Sequence, residues 1–179
     1  ALAQFCQKHK PRRLLLGGAE PTVAQFQDVL PSSLHDLVSG TVGVDVDAGE
    51  VEIREQAYAL LEELEEERHE RVVDAVVTSA AKGLNGVVGL DQTLSVANEG
   101  RVQILLVEKG YHQPGYRCTG CGYLTTQHLD KCVFCGNDFA EIPDAVEAVV
   151  TQVVEKGGTV EVVNDEKMEE ARIGALLRY

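Results

Sequence analysis

The segment from Arg117 to Asn137, RCTGCGYLTTQHLDKCVFCGN, constrains the chain more than any other stretch. It holds Cys-x2-Cys-x10-Cys-x2-Cys, formed by Cys118, Cys121, Cys132 and Cys135. Two residues between paired cysteines let both thiolates reach one ion from a tight turn. A glycine follows each pair, Gly122 and Gly136, where the backbone must turn close to the sulfurs. Four thiolates form a closed tetrahedral set with no position left for water. The expected ligand is therefore one structural Zn2+, not a catalytic metal. His112 and His128 lie nearby but are not needed as ligands, and read as surface residues. A loop of this size cannot build a core, so the metal must hold it together. The fifth cysteine, Cys6, reads as a free thiol. Two Cys-x-x-Cys pairs point to metal in a reducing compartment, hence the cytoplasm, and away from a secreted disulfide framework.

Either side of this segment, the pattern is that of an α/β chain. Arg13 to Gly17, RLLLG, is a short apolar run closing in Gly17-Gly18, a buried strand and turn. Pro21 suits a first helical turn, and Val23, Phe26, Val29 and Leu30 share one face of a helix stopping at Pro31. Leu34 to Leu37 reads as a further helical turn. Ser39 to Asp47 alternates as a half-buried strand, with Asp45 and Asp47 on its exposed face. The cluster Lys8, Lys10, Arg12 and Arg13 reads as a solvated edge strand or linker.

A long helix is predicted from Glu50 to Lys82. Ala57, Leu60, Leu61, Leu64, Arg68, Val72, Val76 and Ala80 recur at spacings of three and four. A run of glutamates from Glu62 to Glu70 forms its solvated face. The apolar stripe thins near Glu66 to Arg71, where a bend or break and a domain junction are expected. Gly83 then ends the helix. Val87 to Leu90 is a short strand or turn, and Thr93 to Glu99 a short helix. Val102 to Val107, VQILLV, is apolar enough for a central strand covered on both faces. After the cysteines come a helix over Pro143 to Lys156 with Val146, Val149, Val150 and Val153 inward, and a strand over Thr159 to Val163. A helical turn over Lys167 to Ala171 and a last strand over Gly174 to Arg178 complete the chain. Helices alternating with apolar strands imply a three-layer α/β domain. With no tryptophan, its core must be aliphatic.

The formal net charge is −13, which repels phosphate backbones and excludes direct binding of duplex DNA through this surface. No run approaches the roughly 18 apolar residues of a membrane helix, and no signal peptide is visible. Gly17-Gly18-Ala19 and Gly83 to Gly89 fit neither a P-loop nor a dinucleotide fingerprint, and no catalytic triad motif is present. No catalytic residue is assigned.

The run LLLGGAEPTVAQFQDVLPSSLHDLVSGTVGVDVDAG resembles the end of the middle domain of archaeal and eukaryotic class 1 peptide-chain release factors and their bacterial relatives. GRVQILLVEKGY, the cysteine segment, PDAVEAVVTQVVEKG, TVEVV and the terminal GALLRY resemble, in the same order, their C-terminal domain. In archaeal members that domain carries a Cys-x-x-Cys insertion at this place. The resemblance implies that residues 1–66 are the end of an RNase H-like middle domain with the start of a linking helix. Residues 67–179 would be an α/β C-terminal domain like the ribosomal proteins that bind kinked RNA, with the zinc ribbon at 116–139. The Gly-Gly-Gln loop with which that family helps water cleave peptidyl-tRNA is not in this sequence, and its place would lie before Ala1. The expected role is docking on a translational GTPase or the ribosome, in termination or ribosome rescue. The alternative is a zinc-ribbon protein-interaction module. From its inserted position, the ribbon is expected to offer Arg117, Tyr123, His128 and Lys131 as its contact surface.

Overall fold

The computed structural model describes residues 2–179 and divides the chain into two compact units, Ala1–Glu67 and Arg68–Tyr179. In the first, Leu2, Ala3 and Cys6 recur at helical spacing. They form one face of α1 (Leu2–His9) against a small cluster of Leu16, Val23, Leu30 and Leu34. Of the basic cluster, Lys10, Arg12 and Arg13 lie in the linker between α1 and the first strand, as expected, and only Lys8 is helical. Lys8 lies in the last turn of α1, and Arg13 pairs with Glu65 at 2.5 Å. Next come β1 (Leu14–Gly17), α2 (Glu20–Asp28), α3 (Ser32–His35) and β2 (Val38–Val42), with β1 and β2 parallel.

Two expected elements are shorter than read. Helix α2 ends at Asp28, short of Pro31; Val29 is 75% exposed, while Leu30 past the helix end stays buried. Strand β2 ends at Val42 because β1 offers no partner beyond Gly17. Past it the chain turns, with Ala48 N–H donating to the Asp45 carbonyl, so Asp45 and Asp47 share no strand face.

Helix α4 (Glu50–Ala81) has no break where the units meet in sequence, at Glu67 and Arg68. The stripe thins there because helix propensity and backbone bonding carry the turns without core contacts. Its close is as predicted: Gly83 has φ +62° and donates to the Ala80 carbonyl, while Leu84 N–H reaches Ser79.

The second unit holds the C-terminal turns of α4, β3 (Gly86–Val88), α5 (Leu90–Asn98), β4 (Val102–Glu108), β5 (Gly115–Cys118), β6 (Leu124–Thr125) and β7 (Phe139–Ile142). Helix α6 (Ala145–Glu155), β8 (Thr159–Val163), a 3-10 turn (Glu166–Met168) and β9 (Ile173–Leu177) follow. The main sheet has the order β3-β9-β4-β8, with β4 parallel to β8 and antiparallel to β9. Adjacent residues of β4 bury opposite ways, as the unbroken apolar run predicted. Leu105 enters a cluster with Leu94, Val146, Val149 and Val153 from α5 and α6. Leu106 enters another with Val73 and Val76 of α4, Val163 and Met168. Helices therefore cover both faces, giving the expected three layers. The sequence reading placed Arg68 in the apolar stripe. Its guanidinium instead donates at 2.5 Å to Glu161, a carboxylate buried on β8, because a buried charge requires a partner. No helix of the described residues is long and apolar enough to cross a membrane.

Candidate metal centre

The insertion between β4 and α6 folds as a three-stranded sheet of order β6-β5-β7, and its two Cys-x-x-Cys turns have one geometry. Cys118 N–H donates to the Tyr123 carbonyl and Cys132 N–H to the Asn137 carbonyl, both at 2.9 Å. Gly122 and Gly136 return their N–H groups to the carbonyls of Cys118 and Cys132, at 3.1 and 2.8 Å. Both glycines lie at positive φ, +77° and +74°, where a side chain would be strained. Each turn thus aims two sulfurs at one point.

The four sulfurs lie within 4.8 Å of one another, the one such group among the described residues. Cys118 and Cys135 stand 3.4 Å apart, and Cys121 and Cys132 3.6 Å. Those separations are far beyond the roughly 2.05 Å of a disulfide. They approach the about 3.8 Å between sulfurs held tetrahedrally about 2.3 Å from a metal. The donor set fits: four soft ligands of the right count and spacing can hold one ion. Cys118 and Cys132 are buried, and Cys121 and Cys135 face out.

Without a cation the thiols compete for protons. The Asn137 N–H, with Cys118 beside it, draws Cys135 down to about 6. The Tyr123 N–H favours a thiolate at Cys121, but burial and its bonds to Cys135, Cys118 and Cys132 together push it up to about 12. Burial opposes ionisation of Cys132, yet the N–H groups of Phe134 and Cys135 with the neighbouring thiols hold it below the usual thiol value. A bound cation makes all four thiolates and releases protons, so binding weakens as pH falls.

His112 and His128 stand outside the cluster. His112 Nδ1 lies 2.6 Å from Asp144, and the His128 ring meets Tyr116 edge-on at 5.3 Å. Asp144 caps α6, accepting from Val146 N–H at 2.9 Å. Burial disfavours its charge, but bonds from His112 and the N–H groups of Glu147, Val146 and Gln113 outweigh that and hold the carboxyl below its usual range.

The four expected contact residues do not form one patch. Arg117 and Tyr123 line a groove of about 560 Å3 beside α5 and α6. His128 lines a separate depression with Asp138, to which Lys131 is paired at 2.7 Å. Tyr123 is half-buried against Phe134 and Phe139, with ring centroids 4.8 and 6.5 Å away.

Sequence reasoning missed the residue that pins the ribbon to the core. Asn98 donates to the Leu124 carbonyl at 2.8 Å and accepts from its N–H at 3.0 Å, so one side chain completes the edge of β6. Its only signal was an amide at the end of a short helix, which ordinarily reads as a C-terminal residue.

The parallel strand pair followed by a mixed three-layer α/β unit is a fold shared with solved structures of other proteins. The chain aligns with S. cerevisiae Dom34, "a translation termination-like factor involved in RNA quality control pathways and interacting with Hbs1". The match has TM-score 0.58 and 13% identity, over 99% of this chain and 51% of that one. It aligns equally with archaeal Pelota from a ribosome-bound model of Pelota and ABCE1, at TM-score 0.56 and 19% identity, over 99% and 46%. The chain thus spans about half the length of these relatives. Residues 1–62 match the family described as bacterial archaeo-eukaryotic release factor family 10. The release-factor resemblance read from the sequence therefore holds. No curated protein sequence matches the chain.

Proposed function

We propose that this chain is the docking end of a release-factor-like, ribosome-associated protein, and that it binds a translational GTPase or the ribosome itself. On this reading residues 1–66 are the end of the middle domain and residues 67–179 the C-terminal domain. The observation that carries it is the shared fold with Dom34 and Pelota along 99% of the chain. Peptidyl-tRNA hydrolysis is assigned to no residue here. The ribbon holds one structural zinc, which closes the fold of the insertion and supplies no reactive position.

Sedimentation of the purified chain with ribosomes through a sucrose gradient, with and without a translational GTPase and a non-hydrolysable GTP analogue, tests this. Comigration with ribosomal particles, or a complex with the GTPase, is expected. A chain that stays at the top of the gradient and binds no GTPase would sink the reading. The second reading, an interaction module that works away from ribosomes, draws on Val133 and Phe134. They are 75% and 71% exposed at the tip of the second knuckle.

A further inference from the structure

The sulfur cluster has an inner and an outer pair. Cys118 and Cys132 are 2% and 3% exposed, while Cys121 and Cys135 face solvent. Each knuckle thus presents its first sulfur inward and its second outward. The two short approaches both run between the knuckles. Inner Cys118 stands 3.4 Å from outer Cys135, and outer Cys121 stands 3.6 Å from inner Cys132. Thr119 accounts for this arrangement. Its N–H and its hydroxyl both donate to the Asp138 carbonyl at 3.0 Å, and Cys118 lies opposite Phe139 where β5 pairs with β7. The start of the first knuckle is therefore bonded to the exit of the second, and the two turns face each other.

The outer sulfurs are open to small molecules. Cys121 lies in the wall of two depressions, of about 560 and 480 Å3. Cys135 follows the exposed Phe134 and accepts from the Asn137 amide at 3.5 Å. The inner sulfurs are closed to solvent, but each lies behind an outer one. An oxidant therefore meets an outer sulfur first, and an inner sulfur stands behind it as the next nucleophile. An exposed sulfur backed by a resolving one is the arrangement of a redox-sensitive thiol pair. Cys6, buried in the cluster of the first unit, is not so placed.

We propose that the ribbon is an oxidation site, which hydrogen peroxide converts from a metal-holding form to a metal-free form with two disulfides, one joining Cys118 to Cys135 and one joining Cys121 to Cys132. The proposal rests on the zinc reading of the ribbon and gives it a second chemical state. The Cys135 thiolate attacks one oxygen of the peroxide. The O–O bond breaks, leaving a sulfenic acid and a hydroxide that takes a proton and becomes water. The Cys118 thiolate then attacks the Cys135 sulfur. The S–O bond breaks, and the second hydroxide leaves as water after taking a proton. Two electrons pass from the sulfurs to the peroxide. Cys121 and Cys132 repeat the sequence with a second peroxide. Four thiolates, two peroxides and four protons thus give two disulfides and four waters, and the cation is released for want of thiolate donors. Both disulfides span the knuckles, so the ribbon keeps a covalent tie where the metal was. Oxidation and chelation then differ in outcome. The chelated ribbon loses order, and the oxidised ribbon keeps β5 against β7.

The test treats the zinc-loaded chain carrying Cys6→Ser, in which only the ribbon thiols are counted, with hydrogen peroxide. Zinc release is followed with a chromogenic chelator. The expected result is about one zinc released for about two peroxides consumed, with loss of all the ribbon thiols. Non-reducing peptide mapping by mass spectrometry should find Cys118 linked to Cys135 and Cys121 linked to Cys132. The same mapping on the unmutated chain gives the links without a variant. Dithiothreitol with added zinc should restore the thiols and the bound metal. Amide exchange across β5 and β7 should be about tenfold slower in the oxidised chain than in the reduced, chelated one, because a covalent tie restricts opening. Absence of zinc from the reduced chain would overturn the zinc reading and this proposal with it. With zinc present, its retention under peroxide would overturn this proposal alone. So would disulfides within a knuckle, Cys118 to Cys121 or Cys132 to Cys135, or sulfinic and sulfonic acids in place of disulfides.

Discussion

Gly86 and Asp144 show how single residues set the second unit. A Cβ at Gly86 would stand 2.7 Å from both the Val76 carbonyl oxygen and Ser79 Cβ, and 2.9 Å from Ala80 N. Backbone on α4 cannot yield as a side-chain tip can. Gly86→Ala is therefore expected to cost about 2 kcal/mol, an overpacking penalty, read as a lower denaturation midpoint at unchanged slope. Asp144 carries a pH prediction. Its carboxyl is depressed in the folded state, so the unfolded chain binds the extra proton first. The stabilisation is then present above the unfolded value of about 3.9 and is lost as pH falls through the lower folded value. Asp144→Asn keeps a capping side chain but loses the charge. Acid titrations followed by circular dichroism should show the unmutated chain losing more stability below about pH 4 than this variant. Parallel losses would place the effect elsewhere.

At the scale of elements, the ribbon and the core separate cleanly. The ribbon's own sheet is short, with β6 only two residues long. Its interior is largely the sulfur cluster. Removing the metal with a chelator, or replacing Cys132 with Ser, should release about one equivalent of zinc, measured by elemental analysis, and unfold residues 116–139. The far-ultraviolet helix signal should persist, because Leu105, Leu106 and their partners do not depend on the metal. Collapse of that signal would show that the core needs the ribbon. The tether is expected to run through Asn98. Asn98→Ala removes two hydrogen bonds to Leu124 and leaves both backbone groups unpaired, a cost of about 2 kcal/mol. Amide exchange should then quicken across β6 while β4 stays protected.

For the whole molecule, charge decides which surfaces are open to which partners. With −13 spread over 179 residues, the long-range field repels duplex DNA. No shift in anisotropy is expected with a labelled duplex at physiological salt, and binding that weakens steeply with salt would contradict this. On the proposed reading, docking on a ribosome or a GTPase rests on shape and local groups rather than on a uniform electrostatic attraction.

Cysteine spacing and the glycines after each pair were enough to single out the four cysteines that the fold gathers, because knuckle geometry is local and depends on only about five or six consecutive residues. The central strand VQILLV, α6 and β8 were also legible, since burial on both faces or on one stripe writes a period into the sequence. The order of motifs carried the release-factor resemblance. Other features were settled only in three dimensions. The ends of α2 and β2 depend on where a distant partner stops, which no local pattern records. The Arg68–Glu161 pair spans 93 positions. Asn98 became a strand-edge mimic only once α5 and β6 had packed together. Hydrogen bonds between groups far apart in sequence leave no periodic trace, so the tertiary structure alone placed them.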